Sequence, residues 1–179
     1  DSPSEGYYFK DLPSSESALS VSKQNVGIKI MIDEESHTQN FNTEEDKMIK
    51  ETYQIKTNSQ IEMIDITMQI REFVRKNQIK EGRITVFVPH TTAGVTINEN
   101  CDPDVQFDLN HAMDKLFPDS LNIRHGEGNS SAHLMSSLTG VTQDIFVENG
   151  NLLLGTWQAV YFWEFDGSRV RKYHLIYCQ

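Results

Sequence analysis

QAVYFWEFDGSRVRKYHLIY, residues 158–177, is the stretch that decides the fold. Two alternating runs flank Phe165-Asp166-Gly167-Ser168. In the first, Tyr161, Trp163 and Phe165 share one face and Gln158 lies on the other. Alternation marks half-buried strands, and Asp-Gly between two such runs predicts a hairpin. The aromatic face suits a core or a subunit interface. Gln158, opposite it, is a candidate polar site group.

Working outward, the chain alternates strand and helix patterns. Strands are predicted at 52–57, 84–90, 95–99, near 143–147 and near 152–155. QIEMID, residues 60–65, pairs with 52–57 as a hairpin across Asn58-Ser59. Ile66, Ile70, Phe73 and Val74 recur at helical spacing after Asp65 or Thr67, either of which can cap; that helix ends near Asn77. Asp102 as N-cap with Pro103 at the first helical position opens a second helix. Its expected buried stripe is Val105, Leu109, Ala112/Met113 and Leu116, and Pro118 stops it. AHLMSSLTG predicts a short helix ending at Gly140. The fold class is therefore α+β: a β-sandwich or barrel-like antiparallel core with two main helices on one side.

The N-terminal part differs. Residues 1–24 are rich in Ser, Pro and charge; 26–32 alternate as a strand; 44–51 suit a short helix. Residues 1–50 are read as an extension and 51–179 as the compact domain.

Of the 179 residues, 26 are Asp or Glu and 16 are Lys or Arg, a net charge of −10. Such a balance argues against a nucleic-acid backbone as partner. The densest basic group is Arg169, Arg171 and Lys172, a candidate local patch. No apolar run approaches the length of a membrane span. Two cysteines, Cys101 and Cys178, give no disulfide framework and suit a reducing, cytoplasmic setting. Cys101 is read as a buried small hydrophobe, and a single bridge between the two stays open.

RHGEGNSSAH, residues 124–133, places His125, Glu127 and His133 in a glycine-rich loop. Imidazole and carboxylate suit a divalent metal, and equally general acid–base work. A solvated surface loop has the same composition. His90 follows a strand and precedes Thr91-Thr92-Ala93-Gly94, whose hydroxyls and amides suit a phosphate or carboxylate, or form an ordinary turn. Glu99, flanked by Asn98 and Asn100, shares a strand face with Ile97 and needs a partner or water there. His111 is read as solvated surface.

HTTAGVTINENCDPDV (90–105), RHGEGNSSAH (124–133), SSLTG (136–140) and NLLLGTWQAVYFWEFDGSRVRK (151–172), in this order, resemble the YjbQ-type family, the secondary thiamine-phosphate synthase family. The resemblance covers about residues 52–179. It implies a trimer and a transferase that joins a hydroxymethylpyrimidine diphosphate to a thiazole phosphate. The matching polar positions are His90, Glu99, His125, Glu127, His133, Gln158 and Arg169. The implied catalytic set is His90, Glu99, His125, Glu127 and His133; Thr91, Thr92, Asn98, Asn129, Gln158 and Arg169 are the ligand-binding candidates. His90, His125 and His133 are the candidate metal ligands in a pocket shared between subunits. Three fixed histidines would favour zinc; a departing diphosphate would favour magnesium. Two departures stand out: Met135 where relatives often carry lysine, and Ser131 where they often carry aspartate. The missing lysine favours the alternative, a non-catalytic oligomer that binds a metal or an anionic metabolite. A third reading gives the function to residues 1–50 as a scaffold.

Overall fold

The computed structural model describes residues 48–118, 120 and 124–179. The strand expected at 26–32 and the extension up to residue 47 lie outside them. Met48–Glu51, expected to end a helix, instead begin a strand.

The elements are β1 (Met48–Lys56), β2 (Glu62–Asp65), α1 (Thr67–Lys76), β3 (Gly82–Phe87), β4 (Ala93–Glu99), α2 (Pro103–Leu116), α3 (Ser130–Thr139), β5 (Thr142–Glu148), β6 (Asn151–Leu152), β7 (Gln158–Glu164) and β8 (Val170–Cys178). They form two antiparallel sheets. One has the order β1-β8-β3-β5-β6 and the other β2-β7-β4. The architecture is the expected α+β sandwich.

Neither predicted hairpin exists. β7 pairs with β2 and β4, whereas β8 pairs with β1 and β3, so the Asp166-Gly167 connection crosses between sheets. β1 and β2 part in the same way. The reason lies at the crossing. Gly167 donates its N–H to the Gln60 carbonyl at 3.1 Å, and a Cβ on Gly167 would collide with the Ser59 carbonyl oxygen. Glycine is needed there for close approach of two backbones, not for a two-residue turn.

The side chains of β7 divide between two apolar clusters. Val160 and Phe162 face the inner cluster between the sheets, with Ile84, Val86 and Val88 from the β3 run and Tyr173 and Leu175 from β8. α1 contributes Ile66, Ile70, Phe73 and Val74 to that cluster, all buried as the spacing predicted. The Asp65 carboxylate accepts the Thr67 N–H at 2.8 Å and so satisfies one free donor of the first turn. α1 therefore joins the inner core rather than sharing one outer side with the other helices. Ala159, Tyr161, Trp163 and Phe165 face the second cluster, with Met113 of α2 and Ala132 and Met135 of α3.

α2 starts as predicted: Asp102 accepts the Asp104 N–H at 2.9 Å, and Pro103 occupies the first turn. Its expected stripe is only partly covered. Met113 is buried and Val105 and Leu109 are half-buried, but Leu116 is 64% exposed; Phe107, outside the stripe, is 68% exposed. Cys101 is exposed too, against expectation, because the turn into α2 faces outward; both cysteines are free. His111 is exposed as expected and stacks on Phe107.

Candidate functional site

The site begins where β3 ends. The β3–β8 register runs to Phe87 opposite His174, so two residues further Pro89 would face Lys172. Proline carries no ladder donor, and the strand turns away. The imidazole of His90 takes the place left open: the Lys172 N–H donates to Nε2 at 3.0 Å. An acceptor at Nε2 puts the proton of the neutral ring on Nδ1. Burial and the neighbouring Arg171 guanidinium both lower the His90 pKa, so the ring is held neutral.

Arg171 belongs to a buried network that the sequence reading missed. Its Nε donates to Glu164 at 2.7 Å and its Nη2 to the Thr92 hydroxyl at 2.9 Å. Glu164, fully buried, also accepts from the amides of Phe165 and Asp166 and from the Thr57 hydroxyl. Burial pushes the Glu164 carboxyl up, but Arg171 and the other donors outweigh it and the net shift is down. The pair ties β7 to β8 across the sheet crossing. The local basic patch dissolves accordingly: Arg171 is internal and Arg169 is held by Asp166 at 2.6 Å. Glu164 and Arg171 are seven positions apart and lie on different strands, so only the placement of Glu164 among buried β7 residues could have signalled a partner.

Thr92-Ala93-Gly94 is not an anion loop. Ala93 and Gly94 belong to β4 and pair with Glu164 and Trp163, and Thr92 is buried against Arg171. Gly94 serves packing: a Cβ there would lie 2.7 Å from the Gly140 carbonyl oxygen and 2.9 Å from Thr139. The C-terminal end of α3 thus rests directly on β4, and the Ser136 hydroxyl donates to the Ala93 carbonyl at 2.7 Å.

That contact brings His133 beside His90. The two histidines line one cleft of about 560 Å³ with Thr91, Ser136 and Ser137. His133 also lines an adjoining depression of about 290 Å³ with His125, Ser130 and Leu134. The His125 and His133 rings meet edge-on, their centroids 5.2 Å apart. His133 lies in the first turns of α3 rather than in a loop. The three histidines therefore run in series, with His133 in the middle. Glu127 is solvent-exposed, 3.7 Å from His125.

The other candidates lie elsewhere. Glu99 is at the far end of β4, about 20 Å along the strand from its start beside the histidines. Its amide bonds Asn98, its carbonyl accepts from Tyr161, and no histidine reaches it. Gln158 accepts the Gly155 N–H at 2.8 Å and closes a turn. Asn129, preceding α3, donates to Asp166 at 2.9 Å. Met135 is buried in the second cluster and does not line the His90–His133 cleft.

A metal would need donors that converge. Among the described residues no three His, Cys, Asp or Glu side chains are grouped to hold one, and no carboxylate lines the cleft. The donor set in one chain does not fit a three-histidine zinc site or a carboxylate-held magnesium.

A family model described as UPF0047 protein YjbQ-like matches residues 51–179. The chain belongs to the YjbQ-like UPF0047 family. Its UPF0047 relatives include YugU of Bacillus subtilis, 49% identical over 125 residues, which cover 69% of this chain and 95% of that protein. UPF0047 protein MJ1081 of Methanocaldococcus jannaschii is 48% identical over 123 residues, 69% of this chain and 89% of the relative. A crystal structure of a YjbQ/UPF0047 protein from Clostridium acetobutylicum superposes with a TM-score of 0.69 at 48% identity, covering 72% of this chain and 98% of that one. A YbjQ-like protein of unknown function from Sulfolobus solfataricus gives 0.71 at 29% identity, covering 74% and 98%. No helix among the described residues is long and apolar enough to cross a membrane.

Proposed function

We propose that this UPF0047 chain binds a small phosphorylated metabolite in the His90–His133 cleft and acts as a secondary thiamine-phosphate synthase. The observation that supports this reading is the meeting of two imidazoles, from the end of β3 and from α3, along one cleft of about 560 Å³. One of them keeps its proton on Nδ1 as a hydrogen-bond donor. Joining the two precursors breaks the carbon–oxygen bond to diphosphate, and both electrons leave with the diphosphate. The thiazole nitrogen lone pair then forms the new carbon–nitrogen bond. The protein must stabilise the departing charge. N–H donors from His90 and His133 and hydroxyls from Thr91, Ser136 and Ser137 are the groups present for that task. Assembly as a trimer belongs to the same proposal, supported by the uncovered Phe107 and Leu116 of α2. The free cysteines support a cytoplasmic setting.

A specific observation favours the second reading, binding without turnover: no lysine or arginine lines the cleft. Incubating the protein with both precursors and measuring diphosphate release separates the two. Release by the wild type that His133→Ala abolishes supports the synthase. Saturable diphosphate binding without release supports the non-catalytic binder.

A further inference from the structure

On the opposite side of α3 from His133 lies a small polar cavity of about 140 Å³. Ser131 lines it; that residue is 4% exposed, and its hydroxyl has no hydrogen-bond partner. Asn129 lines it too, with its Oδ1 buried and unpartnered. The orientation of this amide is fixed. Asn129 Nδ2 donates to Asp166 Oδ2 at 2.9 Å, and the flipped amide would set oxygen against carboxylate. Oδ1 can therefore only accept. A buried acceptor without a donor is costly, so this cavity calls for a group that donates.

The charge around the cavity selects the donor further. Asp114, Glu127 and Asp166 line it, and among these only Asp166 is closely neutralised, by Arg169 at 2.6 Å. Lys115 stands 3.9 Å from Asp114, and His125 stands 3.7 Å from Glu127. The start of α3 contributes about half a positive charge, less than the two weakly paired carboxylates. Gln60 and Gly128 add to the polar lining, and Met135, Phe165, Ala132 and Ile61 supply a smaller apolar part. Acceptors and negative charge with a few apolar side chains beside them match a positively charged head on a short hydrocarbon chain.

We propose that this cavity binds a small primary alkylammonium ion, with its head on Asn129 Oδ1 and the Ser131 hydroxyl and its alkyl chain against Met135 and Phe165. The site is independent of the histidine cleft. A cavity of this volume also has room for about four waters, which is the competing occupant.

Titrating the full chain with n-propylammonium chloride, followed by amide NMR, tests the proposal. The control titrations use n-propanol and sodium chloride at matched ionic strength. Saturable shifts at the Asn129 side chain, Ser131, Ala132 and Asp166 are expected with propylammonium alone. Ser131→Ala keeps the cavity open and should weaken binding roughly tenfold, the effect of one hydrogen bond to a charged group. His90→Ala should leave the binding unchanged, so its outcome is separable from that of the cleft. Non-saturating shifts equal to those with sodium chloride, or equal response to propanol, would mean ordered water only and overturn the proposal.

Discussion

The backbone N–H of Lys172 donates to the His90 imidazole at 3.0 Å, across the gap that Pro89 opens at the end of β3. A side chain thereby continues the β8 ladder past the end of β3 and is itself fixed in one tautomer. Protonation at Nε2 would break that bond and place a cation next to Arg171. His90 should titrate below the ordinary imidazole value, as burial and Arg171 require. Imidazole NMR across a pH series measures it, and Arg171→Met should move the titration upward.

The same shift has a sign in stability. The unfolded chain takes up the His90 proton first, so stability falls as pH drops through the ordinary imidazole range and on through the folded pKa. Glu164 acts in a lower window. Its folded pKa is depressed, so its contribution is present above the ordinary carboxylate pKa and is lost as pH falls through the folded value. Urea denaturation at stepped pH should show two successive declines, and His90→Asn should shrink the first, to which His174, whose pKa is also lowered by burial, contributes the rest.

Breaking the Glu164–Arg171 pair leaves one buried charge without its partner. Glu164→Gln should cost about 3–5 kcal/mol, whereas replacing both residues by apolar ones of similar volume should cost much less. A double-variant loss equal to the sum of the Glu164 and Arg171 single-variant losses, measured by chemical denaturation, would show that the pair is not coupled.

Gly94→Ala places a methyl 2.7 Å from the Gly140 carbonyl oxygen. α3 must shift off β4, at about 1–3 kcal/mol. Because His133 rides on α3, the edge-on contact with His125 should change as well, which ring-proton shifts of the two histidines report.

Phe107 and Leu116 are large apolar side chains exposed on two sides of α2, and burying them between subunits is part of the proposed assembly. Phe107→Asp with Leu116→Asp should convert a trimer to monomers in sedimentation velocity without unfolding the chain. A monomeric wild type would contradict the assembly.

Periodicity placed the elements because burial follows from it directly. The stripe Ile66, Ile70, Phe73, Val74 and the Ile84, Val86, Val88 face are inside, and the Asp102-Pro103 start of α2 has the expected cap. Pairing was not legible. Asp166-Gly167 looks like a tight turn, but its glycine answers a close approach from residue 59, more than a hundred positions away in sequence. Similarly, Gly94 looks like part of an anion loop, and only the α3 contact shows why it lacks a side chain. For the site, the local motifs named His90, His125 and His133, which the fold places in series. They also named Glu99 and Gln158, which it separates from them. Glu164 and its pairing with Arg171 escaped notice, and Arg171 reads in the sequence as part of a surface patch, because a buried ion pair bridging two sheets leaves no spacing signature.

The central claim is that the His90–His133 cleft takes a phosphate-bearing ligand, and calorimetric titration with inorganic diphosphate tests it most directly. Saturable binding to the wild type, weakened at least roughly tenfold in both His90→Ala and His133→Ala, is the predicted result. No binding to the wild type, or undiminished binding in both folded variants, would contradict it.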